Sequence, residues 1–248
     1  MSLWRLEWLR LIRTRRLVAL VGVFAFFGMV GPLTARYLPE IIDRFGGDIE
    51  VVVPDPSPVD GIAQFSSNAI QIGLLVAVVV AAGALALDAI PEMAVFLRTR
   101  VRSSARLLAP RLTVVFGAIA AAYLLGVAVA WYETAVLLGA LPAGGLLLGA
   151  LLGVLYLAFA VAVVAVAGSR AGGVLGAVMV SLVVLLAMPV LGIDDAVGRW
   201  LPSHLVGAQT ALVAGGSAGD YLGSAVVTVV AITALVAAAV RLAGSREI

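Results

Sequence analysis

Arg98, Arg100, Arg102, Arg106 and Arg111 fall within fourteen positions of one stretch, PEMAVFLRTRVRSSARLLAPRL at 91–112, set between two strongly apolar segments. Guanidinium groups bind phosphates and carboxylates through planar, forked hydrogen bonds, so this stretch has the chemistry to hold an anionic surface or an acidic partner. Phe96 is its one aromatic residue and no nucleic-acid reading motif accompanies it, which argues against nucleic acid as the partner. A second constellation, Asp194, Asp195, Arg199 and His204 in GIDDAVGRWLPSHLVG, gathers acids, a base and the single histidine within eleven positions. It reads either as an outer gate or proton-sensitive cluster, or as a solvated loop.

Absences narrow the chemistry further. The chain has no Cys and no Lys, every one of its 16 basic residues being Arg, and only one His. It therefore offers no thiolate, no Schiff-base amine, no paired-His metal motif and no P-loop lysine to reach a nucleotide's phosphates. Catalysis by this chain would rest on carboxylates, hydroxyls and arginines, and it is not expected to be an enzyme by itself. Exclusive use of Arg fits a GC-rich prokaryotic genome, which places the expected location in a prokaryotic cytoplasmic membrane.

The elements that must position these groups are apolar. Of 248 residues 63% are hydrophobic and 12% charged, against about a quarter charged in soluble domains. Runs of spanning length fall at about 17–35, 69–90, 112–131, 143–167, 171–191 and 222–241, each near the twenty residues that cross a hydrocarbon core. The expected fold class is all-α integral membrane, with six transmembrane helices in one domain over 1–248. The first run is longer than the apolar core of a secretory signal and five more follow, so it is read as retained.

Orientation follows from the arginines. Thirteen of the sixteen lie before the first run, in the second and fourth connections or in the tail, whereas the other side holds Arg36, Arg44 and Arg199 with ten acids. The positive-inside bias puts both termini in the cytoplasm. The first sixteen residues, MSLWRLEWLRLIRTRR, gather Trp4, Trp8, Leu11 and Ile12 on one helical side and Glu7, Arg10, Arg13 and Thr14 on the other, as expected of a helix lying in the interface. The long connection 36–68 is expected to be a proline-rich loop in which IEVVV could form a short strand.

Two glycine triplets, Gly145, Gly149, Gly153 and Gly168, Gly172, Gly176, recur every four residues, the spacing that lets helix backbones approach closely in lipid. Packing between the fourth and fifth spans of one subunit is the expectation, with a dimer seam as the alternative. Gln64, Ser66, Ser67, Asn68 and Gln71 put polar groups at the start of the second span, where they either line a pathway or mark the interface.

The segment after the second span resembles the corresponding cytoplasmic connection of ABC-2 type permeases, the membrane subunits of a class of ATP-binding cassette exporters. Asp88 and Glu92 stand for the family's acids, AVFLRT for its apolar stretch, RVRSSAR for its arginine-containing turn and Arg111 for its closing base. The stretch QFSSN before the second span, the ending RLAGSREI, the amphipathic start and the six-span layout resemble the family across the chain. The family's Gly-Thr pair and turn proline are missing, and its closing Lys is Arg. The resemblance implies a type V exporter-like permease fold that works as a homo- or heterodimer. A separate ATPase subunit would bind ATP and Mg, with 91–111 as the coupling segment seated in its groove. Asp88, Glu92, Phe96, Leu97, Arg98, Arg100 and Arg102 are then the coupling residues, and membrane lipids are further partners. Family members often have short re-entrant or interfacial helices before the last span, and WLPSHLVGAQTALV is apolar enough for one. The competing reading is a non-transporting membrane scaffold or signalling component.

Overall fold

The computed structural model describes residues 3–45, 55–85, 104–171 and 173–245, and among these every regular element is helical. A short helix α1 (Leu3–Arg13) precedes α2 (Arg16–Phe45). Next, α3 (Pro58–Asn68) runs through one π-turn at Ala69–Gly73 into α4 (Leu74–Leu85). Two long helices follow, α5 (Ser104–Leu137) and α6 (Ala143–Arg170), then α7 (Val174–Leu191). After a broken connection containing α8 (Asp195–Gly198) and α9 (Ala208–Val213), α10 (Leu222–Ser245) ends the described chain. Among the described residues six helices are long and apolar enough to cross a membrane: Arg16–Ile42, Pro58–Leu85, Leu108–Leu137, Ala143–Arg170, Val174–Leu191 and Ala218–Gly244. If all six cross, the even number brings both described ends of the chain to one side, the arginine-rich one.

The first three spans are longer at their far ends than the hydropathy pattern predicts. Residues 36–45 continue α2 as helix despite Pro32 and Pro39, and α3 begins at Pro58, so most of the expected 36–68 loop is helical. The start of α3 is written locally. Ser57 donates both its amide (2.8 Å) and its hydroxyl (2.6 Å) to the Asp60 carboxylate, and Pro58 occupies the first turn, where its missing N–H costs nothing. The IEVVV stretch lies outside the described residues. Between α1 and α2 the chain turns at Arg15, which adopts φ 57°, a left-handed conformation uncommon outside Gly, Asn and Asp.

Close backbone approach builds the bundle. The largest helix contact is α2 on α5, and it crosses at paired glycines: a Cβ on Gly28 would meet the Gly126 carbonyl at 2.5 Å, and one on Gly126 the Phe24 carbonyl at 2.7 Å. Phe24 then packs edge-on against Tyr123, with ring centroids 5.7 Å apart.

The first glycine triplet finds partners other than the neighbouring span. A Cβ on Gly145 would meet the Leu212 carbonyl at 2.5 Å and one on Gly149 the Gln209 Cα at 2.4 Å, while one on Gly153 would meet the Tyr123 hydroxyl. These glycines therefore seat α9 and a residue of α5 against α6, because the connection before the last span folds back into the bundle. In the second triplet, Gly168 is buried in α6 and Gly172 lies outside the described residues. Gly176 is exposed, its nearest neighbour being Ala171 of the preceding turn.

Gly149→Ala therefore pushes a methyl into backbone that cannot move aside, and is expected to destabilise the fold by about 1–3 kcal/mol. Gly117→Ala, on an exposed face with nothing within 4 Å, is expected to be neutral or to stabilise by up to about 1 kcal/mol. Thermal unfolding of both variants in detergent checks the pair.

Candidate functional site

At the far end of the bundle, three buried polar side chains from three elements converge. Gln209 on α9 accepts at Oε1 from the Ser66 hydroxyl of α3 (3.1 Å) and from the Tyr123 hydroxyl of α5 (2.9 Å). Gln209 is 2% exposed and its Nε2 has no hydrogen-bond partner. Gly149 and Gly153 leave the room that brings Gln209 and Tyr123 this close to α6. Hydrogen bonds drawn to one shared oxygen fix the position of α9 relative to α3 and α5, since hydrocarbon supplies no competing partner.

Of the polar residues expected along the second span, only Ser66 turns into this node. Gln64 and Asn68 are half-buried, and Ser67 and Gln71 are exposed, with Gln71 Nε2 donating to the Ser67 hydroxyl at 3.0 Å. Positions 64, 67, 68 and 71 share one helical face, exposed at 67 and 71 and half-buried at 64 and 68. The π-turn at Ala69–Gly73 lies within it, and such turns are common at functional sites. At 1.5 Å per residue this stripe lies about 9 to 20 Å from the start of α3.

At the arginine-rich end, Glu7 of α1 is 7% exposed and meets Arg111 of α5, itself 8% exposed, with Nε and Oε1 3.0 Å apart. Arg10 stands 3.8 Å from the other carboxylate oxygen. The face that α1 presents to the bundle is thus Glu7 with Leu11, while Trp4, Trp8 and Ile12 are exposed and available to the interface. This divides the predicted apolar face: burial of Leu11 is shared with a carboxylate because α5 supplies a matching guanidinium. The guanidinium of Arg16 lies over Gly83, where a Cβ would come within 2.9 Å of it.

The third group lies beyond the far end of α7. Asp195, Arg199 and His204 line one open cleft with Ser203, whereas Asp194 is spent on capping, its Oδ1 accepting from the Ala196 amide at 2.9 Å. The cleft thereby brings together three of the four residues singled out there by their types.

Asp88, Glu92, Phe96, Leu97, Arg98, Arg100 and Arg102 lie outside the described residues. Among the described residues no three His, Asp or Glu gather as metal ligands would. Sequence reasoning missed Gln209 and Tyr123. The available signal was a lone carboxamide inside the otherwise apolar AQTALV, the type of residue that membrane segments keep for an internal partner. Comparison with protein-family models, with curated proteins and with solved structures gave no match to this chain.

Two substitution experiments test these contacts. Glu7→Ala leaves Arg111 without its counter-charge, at an expected cost of up to about 3 kcal/mol, and the joint change Glu7→Leu with Arg111→Met is expected to recover most of it; thermal unfolding and protease release of α1 report both. Tyr123→Phe should cost about 1 kcal/mol. Adding Ser66→Ala should cost more than the sum of the two, because the shared oxygen then has no donor.

Proposed function

We propose that this chain is a permease subunit of an ATP-binding cassette transporter of the ABC-2 type. Two copies, identical or related, would form the substrate pathway, and a separate ATPase would bind at the arginine-rich end. The observation that carries this reading is the polar face of α3. Ser67 and Gln71 are exposed and Gln64 and Asn68 half-buried along one side of the second candidate span, and among the described residues the carboxamides of Gln64 and Asn68 make no hydrogen bond. Left against hydrocarbon, such groups cost several kcal/mol. A second subunit facing the stripe removes that cost and encloses a polar route between the two copies.

The rest of the reading comes from chemistry this chain lacks and from the resemblance. Without Lys it has no ordinary P-loop, so an ATP-driven process would place ATP and Mg in the partner. The segment 91–111 would then be a coupling helix seated in a groove of that partner, with Phe96 and Leu97 as apolar anchors and Arg98, Arg100 and Arg102 toward acids. The ion pair from Glu7 to Arg111 supports this, because it ties α1 to the residue that closes the coupling segment. Export is the expected direction. Closure of the ATPase pair would drive transport by favouring one of two arrangements of the spans.

Affinity purification of the tagged chain in mild detergent should bring down a stoichiometric P-loop protein with vanadate-sensitive ATP hydrolysis. The double substitution Phe96→Ala with Arg100→Ala should remove that protein while leaving membrane insertion intact. An inactive preparation of this chain alone, repeated in lipid nanodiscs, would favour the scaffold reading instead.

A further inference from the structure

The cleft beyond α7 has a volume of about 510 Å³, within the range of small-molecule sites. Pro189 and Gly192 form part of its wall, and Asp195, Arg199, Ser203 and His204 supply its polar groups. Asp195 and Arg199 are one helical turn apart, yet neither is ion-paired with the other or with any described residue. Aromatic neighbours place Arg199 and His204. The Arg199 guanidinium lies 5.8 Å from the centre of the Trp200 ring, and the His204 ring stacks on Tyr221 with centroids 4.8 Å apart. Two uncompensated charges of opposite sign in one cleft match a ligand that carries both.

The rim identifies where that ligand comes from. Leu191, Ile193, Val197 and Trp200 beside the cleft are all exposed, Ile193 at 79%. Leu191 ends a helix apolar enough to span and the other three follow it closely, so the cleft opens at headgroup level, where indole rings settle and acyl chains begin.

We propose that this cleft seats the headgroup of an amino-phospholipid from the leaflet opposite the chain termini. Its phosphate lies against Arg199, with Ser203 and His204 as further donors, and its primary ammonium donates to Asp195. The exposed apolar rim covers the first part of the acyl chains. A guanidinium is the side chain best matched to a phosphate's oxygens. A carboxylate opposite it selects a headgroup that ends in a hydrogen-bonding amine over one that ends in hydroxyls.

The test is a titration of the full chain in detergent with short-chain phosphatidylethanolamine, short-chain phosphatidylglycerol and free phosphoethanolamine, followed by native mass spectrometry. The expected result is that phosphatidylethanolamine binds about tenfold tighter than phosphatidylglycerol, the difference one charge-assisted hydrogen bond makes. Asp195→Asn should erase that preference while keeping phosphatidylglycerol binding, and Arg199→Gln should weaken both lipids. Thermal unfolding of the two variants shows that the fold survives, since both positions are exposed. Equal binding of the two lipids by the native chain, or a preference that survives Asp195→Asn, overturns the assignment. Free phosphoethanolamine binding as tightly as the lipid overturns its lipid source.

Discussion

Hydrocarbon offers no hydrogen-bond partner, so every polar group carried into the membrane must find one inside the bundle or against another protein. The placement of this chain's few polar side chains follows from that constraint. Ser181 and Thr228 turn their hydroxyls back onto carbonyls of their own helices, and Ser224 donates to the Tyr221 carbonyl just before its helix. Glu7 and Arg111 meet each other at the arginine-rich end. Ser66, Tyr123 and Gln209 satisfy one another at the far end, leaving a single amide nitrogen unpaired. In water each of these would be a minor contact; in lipid they decide which helix faces which.

Apolar attraction cannot do that sorting, because lipid tails are as apolar as the helix faces. Contact surface must come from close approach, and glycine provides it where two backbones meet. At the crossing of α2 with α5, and at the seat of α9 on α6, a methyl group would collide with backbone at 2.4–2.7 Å. The two devices work together at one place, since Gly149 makes room for the residue whose amide binds Ser66 and Tyr123. By contrast α7 and α10 bury little of themselves and present Leu175, Val183, Leu186 and Val230 outward.

Much of this was legible in the sequence. The six apolar runs and the separate helix at the N-terminus follow from hydropathy, charge and composition, whereas the fold-back before the last span was implied by the family resemblance. Helix ends were less visible, because polar residues such as those of QFSSN read as loop although Ser57, Pro58 and Asp60 had already started a helix. Glycine spacing marked surfaces capable of close approach without naming the partner: Gly145 and Gly149 could equally have met α7, and Gly28 with Gly126 shows no four-residue repeat at all. Pairings across long separations, such as Ser66 with Gln209 or Glu7 with Arg111, depend on how helices are arranged, which local pattern does not encode.

Satisfied polar groups hold the bundle together, and the unsatisfied ones point to what surrounds it. Among the described residues Gln64 and Asn68, on the side of the second candidate span that also carries Ser67 and Gln71, make no hydrogen bond, and the permease reading assigns that side to a second copy across a shared pathway. The native chain contains no Cys, so Asn68→Cys and Gln71→Cys can each be introduced without removing a competing thiol. Oxidative cross-linking of these variants in native membranes is the most direct measurement. The account predicts a disulfide-linked band of twice the monomer mass, lost on reduction, for at least one position when the partner is a second identical copy, or a band shared with a related permease when it is not. Monomer alone at both positions, with each thiol freely labelled by a lipid-soluble maleimide, would contradict it.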